Sequence, residues 1–269
     1  MEEKNRLTLV DIGGRRLAMR MEGDGVPTVV LEMGLGSAGS LYDAIARQIA
    51  HFTRVVWYDR AGLGQSDSAP TPRTIQDLVL DLHCLLQKTN IPGPYVLAGH
   101  SMGGPVVRLY RERYPEEVAA LVLIDSSHAD QRERYLAVLP PEQLYEMSDL
   151  THLRHILEVR WVNPDMNEEK IDNLATSALL RTCQGLDNLP VTVVSRGRPT
   201  RDPANYPSGL IEAMEQAWRQ MQRELTELSS QSRHIIATRS RHMINEDEPE
   251  VIIEAIRQMV MQVREQMMF

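Results

Sequence analysis

The sequence predicts a doubly wound, mostly parallel α/β sheet interrupted by a helical insertion. Three observations lead there. Short β-rich runs alternate with segments whose apolar residues recur at helical spacing, the pattern of βαβ units. One run, Ala120 to Ile124, is almost wholly apolar, as a strand covered on both faces must be. From Ser126 to Asn188, by contrast, charges, histidines and helix-like pieces appear with no β-run. The 269 residues fit one large domain carrying an insertion. We divide the chain into a first sheet part at 1–126, a helical cap at 127–188 and a second sheet part at 189–269.

The elements follow in order. Leu7 to Asp11 and Arg15 to Met21 flank Gly13-Gly14 and read as an antiparallel hairpin. Thr28 to Met33 is a β-rich run leading into the glycine-rich loop Gly34 to Ser40. Leu41, Ile45 and Ile49 mark a helix, and Arg54 to Tyr58 the next strand. From Thr74 to Gln87 the apolar residues Ile75, Leu78, Val79, Leu82, Leu85 and Leu86 keep a helical period. Tyr95 onward is a strand that enters G-H-S-M-G-G, and a helix follows as far as Tyr114-Pro115. After the insertion come a strand at Leu189 to Val194, a polar loop at Ser195 to Asn205 and a helix with Leu210, Met214, Trp218, Met221 and Leu225 on one face. His234 to Thr238 is the last strand, and Pro249 to Gln266 the last helix.

Composition narrows the function classes. The formal net charge of -8 argues against a nucleic-acid binder, which usually shows a basic stripe. The charged N-terminus, Met1 to Arg6, leads into no apolar run of the secretory kind, and no uncharged run is long enough to span a bilayer. Cys84 and Cys183 lie far apart without metal-ligand spacing and read as reduced core thiols of a cytoplasmic protein.

The chemistry is concentrated around Ser101, the centre of G-x-S-x-G. A serine on a tight strand-to-helix turn projects its hydroxyl above the end of a sheet. Gly99 and Gly103 leave room for that turn because they carry no Cβ. The Met102 N–H sits at the start of the next helix, where partial positive charge favours an oxyanion. A serine hydroxyl needs a base, usually a histidine oriented by a carboxylate. In open α/β sheets such groups gather at the carboxyl ends of strands. His242, in the loop after the last strand, fits best. His51 and His83 precede the serine, His152 and His155 lie in the insertion, and His234 sits at the wrong end of its strand. His100 is expected to point away from the serine's side of the turn.

With these residues in view, the sequence resembles the α/β-hydrolase superfamily. V-V-L-E-M-G-L-G-S is similar to its oxyanion loop, D-R-A-G-L-G-Q-S to its loop after the next strand, G-H-S-M-G-G to its nucleophile turn and S-R-H-M-I to its histidine loop. The resemblance covers the whole chain and implies a Ser-Asp-His triad in that chain order. It implies oxyanion donors at the backbone N–H groups of Leu35 and Met102, and needs no metal or organic cofactor. Two departures stand out. Met33-Gly34 replaces the usual His-Gly, and Glu32 before it has no assigned role. The loop after Leu189 to Val194 carries no carboxylate at the usual spacing, so the acid is placed one strand earlier, at Asp125, with Asp202 as the alternative. The implied activity is hydrolysis of a small-molecule carboxylic ester or lactone, acyl-homoserine lactones included, with no nucleic-acid or membrane partner. Aminopeptidase, carbon–carbon hydrolase and non-catalytic receptor readings remain as alternatives. Apolar insertion residues, among them Leu144, Met147, Leu153, Ile156, Leu157 and Trp161, are expected either to line an acyl pocket or to pack the cap on itself.

Overall fold

Positive-φ glycines set the first turn. Gly13 and Gly14 take φ of 102° and 95°, which a residue with a side chain rarely adopts. They join β1 (Thr8–Asp11) to β2 (Arg16–Glu22) as an antiparallel hairpin. The computed structural model describes residues 7–268; the charged N-terminal stretch lies outside them. Within these residues β1, β2, β3 (Thr28–Glu32), β4 (Val55–Tyr58), β5 (Tyr95–His100), β6 (Val118–Ile124), β7 (Val191–Arg196) and β8 (Ser232–Ala237) form one sheet. Its order is β1-β2-β4-β3-β5-β6-β7-β8. β2 is antiparallel to both neighbours, and every later pairing is parallel.

Parallel pairing requires crossovers, and these supply the helices that cover the sheet. They are α1 (Asp43–Ile49), α2 (Ile75–Lys88), α3 (Gly103–Arg113), α4 (Gln131–Val138), α5 (Ser148–His155), α6 (Asn173–Thr182), α7 (Leu210–Thr226), α8 (Ile244–Asp247) and α9 (Pro249–Met267). α2 starts at a capping box in which Thr74 and Asp77 satisfy each other's backbone N–H groups. Strand alternation divides the core between the two faces. Val30, Val56, Leu97, Leu121 and Val193 pack with α2 and α3, while Val29, Val55, Val96, Val122 and Val194 pack with α1 and α9. β3, β4, β5 and β7 are buried at every position, which is why they read as apolar runs rather than alternating ones.

Three details differ from the sequence reading. A 3-10 turn, Gly39–Tyr42, precedes α1, so Tyr42 turns inward and Leu41 is exposed. β7 runs on through Ser195 and Arg196, two residues beyond the expected strand end. Cys84 and Cys183 are unpaired but only half-buried, at the margin of the core.

Between β6 and β7 the described residues hold α4, α5, a π-helical turn at Ile156–Arg160, a 3-10 turn at Pro164–Met166 and α6, with no named strand. This segment has little core of its own. Tyr135, Leu150, Leu153 and Leu157 are buried against Leu210, Ile211, Met214, Trp218 and Met221 of α7. Ion pairs from Arg134 to Glu224 reinforce the contact. Leu144 and Met147 are exposed and join no cluster. No helix among the described residues is long and apolar enough to cross a membrane.

Candidate active site

The sheet brings four strand ends to one edge. β5, β6, β7 and β8 are adjacent and parallel, so Ser101, Asp125, Arg196 and the loop holding His242 emerge side by side. Ser101 adopts φ of 53°, the strained backbone expected of a serine on a sharp turn. Its N–H donates to the Ile124 carbonyl at 3.0 Å. A Cβ on Gly99 would collide with the Gly103 backbone, and one on Gly103 with the Glu32 carbonyl, so both glycines are demanded by close approach.

His242 Nε2 lies 3.0 Å from Ser101 Oγ, and His242 Nδ1 lies 2.6 Å from Asp125 Oδ2. With Nδ1–H donating to Asp125, Nε2 is left to accept from the serine hydroxyl. Asp125 is fully buried, also at positive φ (39°), and its carboxylate accepts from three further donors. The Arg196 N–H reaches Oδ1 at 3.0 Å, Trp218 Nε1 reaches Oδ1 at 3.1 Å and the Arg196 guanidinium reaches Oδ2 at 3.0 Å. Burial alone would push this carboxyl up; the hydrogen bond from His242 and the charge of Arg196 outweigh it and hold the carboxyl below its ordinary range. Asp202 lies elsewhere: its side chain caps a 3-10 turn by accepting from the Ala204 N–H.

His100 corrects the sequence reading. It does not point away: its ring lies 4.8 Å from that of His242, and its Nε2 donates to the His242 carbonyl at 3.0 Å. Burial first, then the neighbouring His242, lower its pKa to about 4, so it stays neutral and acts as a fixed donor under the loop.

The oxyanion-loop candidates stand opposite. Among the described residues, the N–H groups of Leu35 and Met102 donate to no protein acceptor. The loop between them and β3 is clamped by a buried cluster that explains Glu32. Arg60 donates to Glu32 at 2.6 Å, to the Met33 carbonyl at 2.7 Å and to the Gly34 carbonyl at 2.5 Å. Tyr58 also donates to Glu32, at 2.6 Å. Glu169, from the segment between β6 and β7, accepts from Arg60 at 2.6 and 2.7 Å and from the Gly36 N–H at 2.7 Å. Burial raises the Glu32 carboxyl, with Arg60 and Tyr58 pulling the other way.

Arg196, Trp218, Arg60 and Glu169 were not legible as site residues. Each acts through contacts made across long sequence separations, from 26 to 109 residues.

Two cavities meet at Ser101. The larger, about 460 Å³, contains His242, Tyr135, Ile156, Trp218, Arg196 and Arg201 on its walls. The smaller, about 180 Å³, is lined by Leu35, Met102, Pro105, Thr176 and Leu180. Gln131 and Trp161 face both. Of the apolar insertion residues, Ile156, Leu157 and Trp161 reach the larger cavity, whereas Leu150 and Leu153 pack only against their neighbours and α7. No aspartate or glutamate among the described residues lines either cavity.

Comparison with known proteins bears on the fold. The family described as "alpha/beta hydrolase fold" matches residues 27–154. A protein named "Probable transporter efuK", from Hormonema carpetanum, is 26% identical over 94% of this chain, which spans 42% of that protein's length. An "AB hydrolase superfamily protein" of Gibberella zeae is 27% identical over 88% of this chain and 87% of its own. Among solved structures, the enol-lactonase from Burkholderia xenovorans LB400 superposes with a TM-score of 0.62 at 19% identity, covering 95% of this chain and 100% of that one. At that identity the structural likeness speaks for the fold.

Proposed function

As a member of the α/β-hydrolase superfamily with serine, aspartate and histidine at adjoining strand ends, this chain is, we propose, a serine hydrolase of carboxylic esters or lactones. One observation carries the reading: the unbroken line Ser101 Oγ, His242 Nε2, His242 Nδ1, Asp125 Oδ2, with spacings of 3.0 and 2.6 Å at its two hydrogen bonds.

The mechanism follows from that line. His242 takes the hydroxyl proton as Ser101 Oγ bonds to the substrate carbonyl carbon. The carbonyl oxygen becomes an oxyanion that the Leu35 and Met102 N–H groups receive. The carbon–oxygen bond to the leaving alcohol then breaks, and the proton on His242 Nε2 goes to that alcohol. Water repeats the attack on the acyl-enzyme, giving its proton to His242, and the carboxylic acid departs as Oγ regains a proton. Asp125 holds the tautomer with Nδ1 protonated and balances the charge of the imidazolium. Among the described residues the cavity walls are apolar, amide, hydroxyl, imidazole and guanidinium groups, which suit an ester better than a peptide whose free amino group calls for a carboxylate.

The test is direct. Ser101→Ala should keep the fold and lose ester turnover by several orders of magnitude. A fluorophosphonate probe should label Ser101 and no other residue in the wild-type protein. Labelling at a different residue, or turnover that survives the substitution, would overturn the proposal.

A further inference from the structure

The two cavities are not equivalent chemically. The leaving alcohol must receive its proton from His242 Nε2, so it occupies the larger cavity, whose wall includes His242. The acyl part occupies the smaller one, beside Leu35, Met102, Pro105 and Leu180. That division follows from the proposed acyl transfer, and the next step rests on it.

Two arginines face the leaving-group cavity, and they differ. Arg196 is charge-compensated: it bonds Asp125 and Glu215, at 3.0 and 2.9 Å, and lies 4.2 Å above the Trp218 ring, although its Nε is buried without a partner. Arg201 is half-buried, its one hydrogen bond goes to the Thr200 hydroxyl at 3.3 Å, and it has no carboxylate partner among the described residues. Around it the wall is aromatic and aliphatic: Tyr135, Ile156, Leu157, Trp161 and Trp218. An uncompensated guanidinium beside such a wall is a planar, bidentate receptor for an oxyanion. Where the cavities meet, Gln131 and Trp161 add polar groups to the walls of both.

We propose that Arg201 sets specificity by binding a carboxylate carried on the leaving-group part of the substrate. The preferred substrates are then esters of an apolar acid with a carboxylate-bearing alcohol or phenol. With Arg196 paired to Asp125 and Glu215, Arg201 is the one arginine on these walls without a carboxylate partner among the described residues; it matches a monoanionic carboxylate, whereas a phosphate or phosphonate dianion would keep a second charge desolvated and unpaired beside the apolar wall.

The test uses 4-(butanoyloxy)benzoate, its uncharged methyl ester and 4-phosphonophenyl butanoate, on wild-type, Arg201→Ala and Arg201→Lys proteins. The wild type should favour the carboxylate in kcat/KM. Arg201→Ala should lose about 10–100-fold on it, mainly through KM, as expected for a hydrogen-bonded charge. On the methyl ester the loss should be several-fold smaller than on the carboxylate, and Arg201→Lys should retain part of the preference. Equal losses on charged and neutral esters, no loss at all, or a preference for the phosphonate would overturn the assignment. Calorimetric binding of 4-hydroxybenzoate separates this proposal from the hydrolase reading beneath it. Arg201-dependent binding without turnover would leave Arg201 assigned and sink the hydrolase; turnover of the methyl ester with no Arg201-dependent binding would do the reverse.

Discussion

Asp125 has more partners than a triad acid needs. Both carboxylate oxygens accept two donors, so no orientation of an asparagine amide avoids facing one donor with another. Asp125→Asn should therefore cost about 10³–10⁴ in kcat through the wrong imidazole tautomer, and some stability as well. Asp202→Asn should cost less than about tenfold, because Asp202 caps a turn away from the site. Kinetics on one ester, with circular dichroism on both variants, ranks them; the opposite order would move the acid to the later loop. His100 predicts a pH effect on folding. Its folded pKa, about 4, lies below the ordinary histidine value, so between those limits the unfolded chain binds more protons. Stability from this group is complete above the ordinary histidine pKa and is lost as pH falls toward about 4. From pH 7 to 5 that amounts to about 2 kcal/mol. His100→Gln should start less stable at pH 7 but lose less on acidification, as read by urea unfolding. Equal losses in both proteins would refute the account.

At the scale of elements, the loop after β3 is held from three directions: by its own strand, by Arg60 after β4 and by Glu169 from between β6 and β7. Arg60→Met would leave two buried carboxylates without their cation, and should cost about 3–5 kcal/mol in urea unfolding. Glu169→Gln keeps the shape and an acceptor for Gly36 but weakens the hold on Arg60. It should lower kcat roughly tenfold with little change in KM, less than the ~10²–10³ for losing an oxyanion donor outright. An unchanged kcat would mean that the loop keeps its shape without the clamp. Most strands and helices were legible because local patterns specify them: the Gly-Gly turn, the apolar run of β6, the helical period of α2. Ser101, His242 and Asp125 were legible for a related reason, since each lies beside a strand end that the pattern locates. Glu169 was not, because nothing around residue 169 betrays an arginine 109 positions away. Arg196 was missed because a polar pair ending an apolar run reads as loop, and only pairing with β8, Ser195 to Ile236 and Arg196 to Ala237, makes it strand.

At the scale of the whole molecule, the described residues form three apolar clusters, and the third joins the segment after β6 to α7 rather than to the sheet. Leu153→Ala, at a site only 1% exposed, should cost about 2–5 kcal/mol, measured by urea unfolding. Because that cluster is separate from the two sheet cores, ester turnover should fall at a lower urea concentration than the circular dichroism of the sheet. Coincident transitions would show a single cooperative unit. Limited chymotrypsin digestion should cut first near Leu144 and Tyr145, each 88% exposed, before any site in the sheet.

The reach of Glu169 into the loop at Gly36 bears on how this architecture can be recombined. A chimera that exchanges residues 127–188 for a foreign helical segment would bring new walls for the ligand but no guaranteed carboxylate at that position. Arg60 would then answer to Glu32 alone, and the loop would settle into a different shape even if the graft folded and admitted substrate. Exchange of this segment is therefore tied to a single side chain: a transplant should inherit full turnover only when it brings an acid to meet Arg60.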